Sequence, residues 1–236
     1  MQLPDFSEYA SAELLSVREA AADQAFVELR PRGGFVDGYA RAGQFCKMRI
    51  GGAEGIFAMF SAPGDDTARF LVRTNNAEGG EAADALVRLP AGTHVDMTLP
   101  AGGGFDLERA RGKDLLFFAT GTGVAPIRAA IEAVLKERDA YGAISLDHGL
   151  RSAEHLAIGD DLTRWEAAGV DVRLVYSRLA SDGSLTGTTV QDALHERRPD
   201  LANSAVVAVG QSAMLDSLLS EVVALGGSPD LFLKNI

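Results

Sequence analysis

A chain of 236 residues with 47% hydrophobic side chains can pack one large domain or two small ones, which excludes a disordered protein. Its 33 acidic against 22 basic residues leave a net charge of -11, scattered rather than blocked, so neither nucleic acid nor an anionic membrane is an expected partner. The single cysteine, Cys46, excludes an intrachain disulfide, a thiolate-held iron–sulfur cluster and a cysteine-rich zinc site, and no metal centre is expected.

The start, Met1-Gln2-Leu3-Pro4-Asp5-Phe6-Ser7-Glu8, has neither a basic leader nor an apolar core, and no apolar run is long enough to cross a bilayer, so a cytoplasmic location is the expectation. From Ala12 to Leu99 apolar residues come in short, often alternating runs: Phe26–Arg30, Phe45–Ile50, Ile56–Phe60, Ala68–Thr74 and His94–Leu99. Gly33-Gly34, Gly51-Gly52, Pro63-Gly64 and Pro90-Ala91-Gly92 break them, as expected of an antiparallel β-barrel. One helix is expected inside it, over Glu81–Leu89, where Ala82, Ala85, Leu86 and Leu89 fall at helical spacing. The charged stretch Phe105–Lys113 then separates two patterns, predicting a barrel over 1–110 and a second domain over 111–236.

Beyond it, strands are predicted at Leu115–Ala119, Ala143–Asp147, Val170–Tyr176 and Ala205–Val209, with helices beginning near Pro126, Gly159, Thr188 and Ser212. Alternation of this kind predicts an α/β domain with a parallel sheet covered on both faces. The first strand runs directly into Thr120-Gly121-Thr122-Gly123-Val124-Ala125-Pro126. Gly121 and Gly123 permit close backbone approach, and Pro126 suits a first helical turn. The helix start carries roughly half a positive charge, so a pyrophosphate over Thr122–Ala125 needs no lysine. Pro126 stands where a third glycine would complete the dinucleotide fingerprint, which leaves an ordinary tight turn as the alternative.

Taken in order, several segments resemble the ferredoxin–NADP reductase superfamily. Gly43-Gln44-Phe45 is similar to its P-G-Q-F turn, and Leu89-Pro90-Ala91-Gly92 through Gly104-Phe105 to its later barrel strand and G-x-F segment. Gly121–Pro126 is similar to its nucleotide turn, His148-Gly149-Leu150-Arg151 to its Y-G-x-R, and Val209-Gly210-Gln211-Ser212-Ala213-Met214 to its C-G-P-x-x-M. The ending Phe232-Leu233-Lys234-Asn235-Ile236 resembles a divergent plant and bacterial branch of FAD/NAD(P)-binding oxidoreductases.

The resemblance implies a flavoprotein in which NAD(P)H passes a hydride to FAD and electrons go on to an acceptor, a protein or a small oxidant. In the segment similar to R-x-Y-S, Ala58-Met59-Phe60-Ser61, it places Phe60 against the flavin ring and Ser61 near its reactive nitrogen, with filling of the barrel core as the alternative for Phe60. Ala58 stands where the family has an arginine. Gly79, Gly80, Glu81 and Ala82 would take the FAD pyrophosphate, with Ala83 in place of the family serine and Glu81 turned outward. Gly210, Gln211 and Met214 would lie beside the nicotinamide, where Val209 replaces the family cysteine. Ser177 and Arg178 would approach the adenosine ribose or its 2′-phosphate, with Arg178 balanced by Asp182 as the alternative.

Arg151 is a second phosphate candidate that could equally pair with Glu154, and Asp147 is an alternative ribose ligand. His148 reads as a packed or solvent-facing histidine, with nucleotide contact as the alternative, and Cys46 as a buried barrel residue. Two rival readings stand beside the reductase. One is an electron-transfer subunit of a larger complex, and the other a flavin-free nucleotide-binding regulator.

Overall fold

A computed structural model describes residues 4–74, 80–177 and 187–235. The first half forms a six-stranded antiparallel sheet: β1 (Ala10–Ala21), β2 (Gln24–Pro31), β3 (Phe45–Ile50), β4 (Ala53–Ala58), β5 (Ala68–Arg73) and β6 (His94–Met97). A one-turn helix α1 (Phe35–Gly38) follows β2, and α2 (Glu81–Leu86) sits between β5 and β6. The order β4-β3-β6-β1-β2-β5 curls until β4 and β5 approach each other without a ladder, leaving a seam. Alternation along the strands sends Leu14, Val27, Leu29, Met48 and Phe70 inward, all essentially without solvent exposure. Cys46 lies in this core beside Met59, where burial pushes its thiol far up and leaves it inert.

A 3₁₀ turn over Leu107–Ala110 leads into the second half. There β7 (Asp114–Thr120), β8 (Ile144–Leu150), β9 (Val170–Tyr176), β10 (Ser204–Val209) and β11 (Phe232–Leu233) form a parallel sheet in the order β11-β10-β7-β8-β9. Leu115 to Ala119 of the central β7 are all buried, because helices cover both faces. One layer contains α3 (Val124–Lys136) and α4 (Gly159–Ala167), with Ile127, Ile131 and Trp165 packed on Leu115, Phe117 and Leu146. The other contains α5 (Val190–Arg197) and α6 (Ser212–Ala224), with Leu194 and Leu218 packed on Leu116 and Phe118. The two-domain architecture read from the sequence is the one observed.

Boundaries differ where side chains override the apolar pattern. The run Ile56–Phe60 leaves the sheet at Ala58, and α2 stops at Leu86, three residues before Leu89. Helix α5 begins at Val190 because Thr189 caps it, accepting from the Asp192 amide while Asp192 accepts from the Thr189 amide.

Candidate functional site

Strand β7 ends at Thr120 and passes through a 3₁₀ turn, Gly121–Gly123, into α3. Gly121 has φ 53, a conformation that favours glycine. No side chain caps either the turn or the helix behind it, and the Val124 amide that begins α3 donates to the Gly121 and Thr122 carbonyls of the turn. The turn packs tightly on the end of β10: a Cβ on Gly123 would lie 2.9 Å from the Val209 carbonyl oxygen. A Cβ on Gly210 would lie 2.3 Å from Met214 Cε and 2.5 Å from Thr120 Oγ1. The structure thus brings Thr120, Gly121, Thr122, Gly123, Val124, Ala125 and Pro126 together with Gly210 and Met214, and Gln211 is exposed just ahead of α6.

His148 supports this turn from below. It is 1% exposed, and its Nε2 lies 3.1 Å from the Gly121 carbonyl oxygen, so Nε2 must carry the proton it donates. Its Nδ1 is buried with no hydrogen-bond partner. Burial pulls its pKa down to about 4, so the ring is neutral at ordinary pH.

The barrel reaches the same turn with a residue the sequence reading missed. Arg73, at the end of β5, places Nη2 3.0 Å from where a Cβ on Gly121 would be. No local motif marks it, because the contact is made across the two halves. Arg151 pairs at 3.9 Å with Asp23 of the β1–β2 turn rather than with Glu154, whose carbonyl accepts from the Ala22 amide. Ser177 sits beyond β9, its hydroxyl donating to the Leu150 carbonyl. Arg178 and Gly79 lie outside the described residues. Asp147 is completely buried and held by Arg197 through two bonds of 3.0 and 3.1 Å, so its carboxylate is not presented to a ribose.

The barrel-side residues fall into two separate places. Helix α2 starts at Gly80 with no side-chain cap, Glu81 is exposed and Ala82 is buried. The strand residue facing this start is Gly55, whose Cβ would come within 2.9 Å of Ala82 Cβ and of the Phe57 ring. Ala58 lies on the opposite face of β4 from Gly55 and Phe57. Phe60 and Ser61 sit instead at the junction of the two halves. Phe60 is 3% exposed and packs edge-on to Phe26 with ring centroids 5.0 Å apart. The guanidinium carbons of Arg128 and Arg69 lie 4.7 and 5.6 Å from its centroid. Ser61 is fully buried, its hydroxyl accepting from the Arg69 amide and its carbonyl from the Tyr39 phenol.

Gly43 and Gln44 serve the loops around the barrel. A Cβ on Gly43 would strike the Phe105 ring at 2.8 Å, and Gln44 accepts from the Ala40 and Arg41 amides while donating to the Gly102 carbonyl. Among the described residues no helix is long and apolar enough to cross a membrane.

Residues 117–219 match the family of the oxidoreductase NAD-binding domain. Fruit protein pKIWI502 of Actinidia deliciosa is 27% identical over 242 residues, spanning 92% of this chain and 74% of that protein. Ferredoxin–NADP reductase B of Sorangium cellulosum is 29% identical over 176 residues, spanning 73% of this chain and 70% of that protein. A ferredoxin NADP+ reductase from Neisseria gonorrhoeae with bound FAD and NADP superposes with a TM-score of 0.78 at 18% identity, covering 93% of this chain and 92% of that one. With the barrel, the parallel sheet and the glycine turn in this order, the chain shares the fold of the ferredoxin NADP+ reductase from Neisseria gonorrhoeae and is similar in sequence to a ferredoxin–NADP reductase.

Proposed function

We propose that the protein is an FAD-dependent NAD(P)H oxidoreductase, with a flavin-binding barrel over 1–110 and a coenzyme domain over 111–236. The observation that carries this reading is the uncapped α3 start, framed by glycines 121, 123 and 210 and lying against an arginine of the barrel. The amides that lead the 3₁₀ turn, ahead of Val124, fit the pyrophosphate of a nicotinamide nucleotide, and Arg73 adds a planar charged donor beside it. Fit to a flavin dinucleotide on the barrel is by backbone, at the uncapped start of α2 opposite Gly55, with no cation on β4 to grip it.

Bound FAD supplies two-electron acceptance and release in one- or two-electron steps. The chain's own residues do the holding and aiming. His148 fixes the Gly121 carbonyl, α3 presents its amides, and Thr120, Gly210 and Met214 close the floor beside the nicotinamide end. Hydride passage needs a dry, oriented approach rather than a proton donor. Ser177 and Arg178 belong to the adenosine end in this reading, with Arg151 beside them, and the acceptor is a redox protein or a small oxidant in the cytoplasm.

The test is chromophore identification on the purified protein, followed by anaerobic addition of NADPH or NADH. A yellow protein that releases FAD and bleaches with either nucleotide supports the proposal. A colourless protein that takes up no added FAD overturns it, and nucleotide binding by that protein would favour the regulatory reading. That second reading is supported by Gly55 facing α2 where a gripping side chain has no room.

A further inference from the structure

We propose that Arg128 is a positioning residue that locks the coenzyme helix α3 to the barrel, and thereby sets how closely nicotinamide and flavin approach. Arg128 lies four residues after Val124, which begins α3, and is 8% exposed. Its Nη1 donates across the domain boundary to the Phe60 carbonyl at 3.2 Å, and its guanidinium lies over the Phe60 ring. Its Nε is 3.5 Å from Asp161 Oδ1 and makes no hydrogen bond. One side chain therefore binds the barrel backbone, a barrel aromatic face and the start of α4.

The contact continues inward. Asp161 accepts from Arg164, Arg164 makes two bonds to Glu132 of α3, and Glu132 accepts from Trp165 Nε1 at 2.7 Å. Trp165 is fully buried and is the only tryptophan. A chain of polar contacts thus runs from the Phe60 carbonyl into the α3–α4 layer, and it moves with the helix that presents the coenzyme amides.

Cost and direction distinguish Arg128 from generic packing. A guanidinium taken out of water with one donor left unbonded is a costly way to fill space, and apolar replacements of such groups are often neutral or stabilising. Its special property is direction, because a planar fork bonded on one edge and stacked on a ring tolerates little rotation. The junction beside it is also incompletely filled: a cleft of about 230 Å³ opens there, lined by Arg18, Phe26, Arg69 and Asp160 among others. Two halves joined around such a gap rock by default unless something directional fixes them.

The test compares the full chain with R128M and R128K. Spin labels on V36C and V223C, exposed positions in the barrel and on α6, report the distance distribution between the halves, since the native thiol is buried. The same proteins are assayed for bound FAD per chain, NADP+ affinity, flavin reduction rate and melting temperature. Expected for R128M are a broadened distance distribution and reduction slowed roughly ten- to a hundredfold, because a misplacement near 1 Å is enough for that. NADP+ affinity and FAD content should stay at wild-type values. R128K keeps charge toward Asp161 without a planar fork and should fall between the two.

An unchanged distribution with an unchanged rate overturns the proposal. So does a rate lost in proportion to NADP+ affinity and melting temperature, which marks a structural role; if R128M does not fold, R128K is read by the same criteria. The rate measurement rests on the oxidoreductase reading, whereas the distance measurement does not. A protein without flavin therefore defeats that reading and leaves the distance distribution to decide the proposal.

Discussion

Helices α3 and α2 both begin without a side-chain cap, yet they are held in opposite ways. Helix α3 has thirteen residues, nine of them buried, and its start is wedged against β10 with no space for a Cβ at Gly123. Helix α2 has six residues and rests on the barrel through Ala82 and Leu86, with Gly55 opposite. One helix start is therefore fixed by a whole core, and the other by a single close approach of backbone to strand. The coenzyme half should accordingly fail sharply when its turn is altered, and the barrel half gradually.

The largest expected effect lies at the rigid start. G123V pushes a branched side chain toward the Val209 carbonyl and into the space above the turn, and should abolish NAD(P)+ binding while flavin content is retained. Calorimetry with NADP+ and NAD+, alongside a melting curve, checks it; a folded variant with normal affinity would reduce the turn to a structural element.

Next comes the support beneath the turn. An unfolded imidazole titrates near 6.5 and His148 in the fold at about 4, so between these values the unfolded chain takes up a proton that the fold refuses. Its contribution is complete above pH 6.5 and falls by about 3 kcal/mol as pH drops to 4. In H148F this part of the pH dependence should vanish, as read from urea unfolding at several pH values. An unaltered slope would mean that other groups carry the acid sensitivity.

Arg73 tests whether the barrel contributes to the coenzyme site. R73Q should weaken NADP+ and NAD+ alike by about 1.5–3 kcal/mol, the size of a hydrogen bond to a charged group. The loss should shrink as salt rises. Equal affinity of R73Q and wild type at low salt would remove Arg73 from the site.

The smallest effect belongs to the looser start. G55A adds one methyl 2.9 Å from Ala82 Cβ and should cost about 1–3 kcal/mol as α2 is displaced, with flavin content lowered and NADP+ affinity untouched. A variant as stable as wild type would show that α2 yields freely.

What the sequence made legible follows the same division. The segment Thr120–Pro126 could be read because strand, turn glycines and helix start are consecutive and their geometry is local. The Ala58–Ser61 segment was harder, because which residue faces α2 depends on the face of β4, and faces alternate at every residue. Register puts Gly55 and Phe57 there, while Phe60 and Ser61 pass to the junction. Arg73 and the Asp147–Arg197 pair join residues dozens of positions apart, and no local motif encodes such a contact. Strand β1, twelve residues long, also lacked a clear signal, since Glu13, Arg18 and Glu19 interrupt its apolar residues.

The seam between β4 and β5 has a consequence for behaviour in concentrated solution. Strand β4 ends its sheet and carries Ile56, 44% exposed, on a face open to solvent. An unpaired edge with a bare isoleucine invites a strand from another molecule. Glu54, two residues before it, is held on the same face by Lys47, Arg49 and Tyr9, so charge stands where a neighbouring strand would have to dock. Removing that carboxylate would leave the isoleucine as the leading feature of the edge, and self-association, rather than unfolding, would be the first sign of the change.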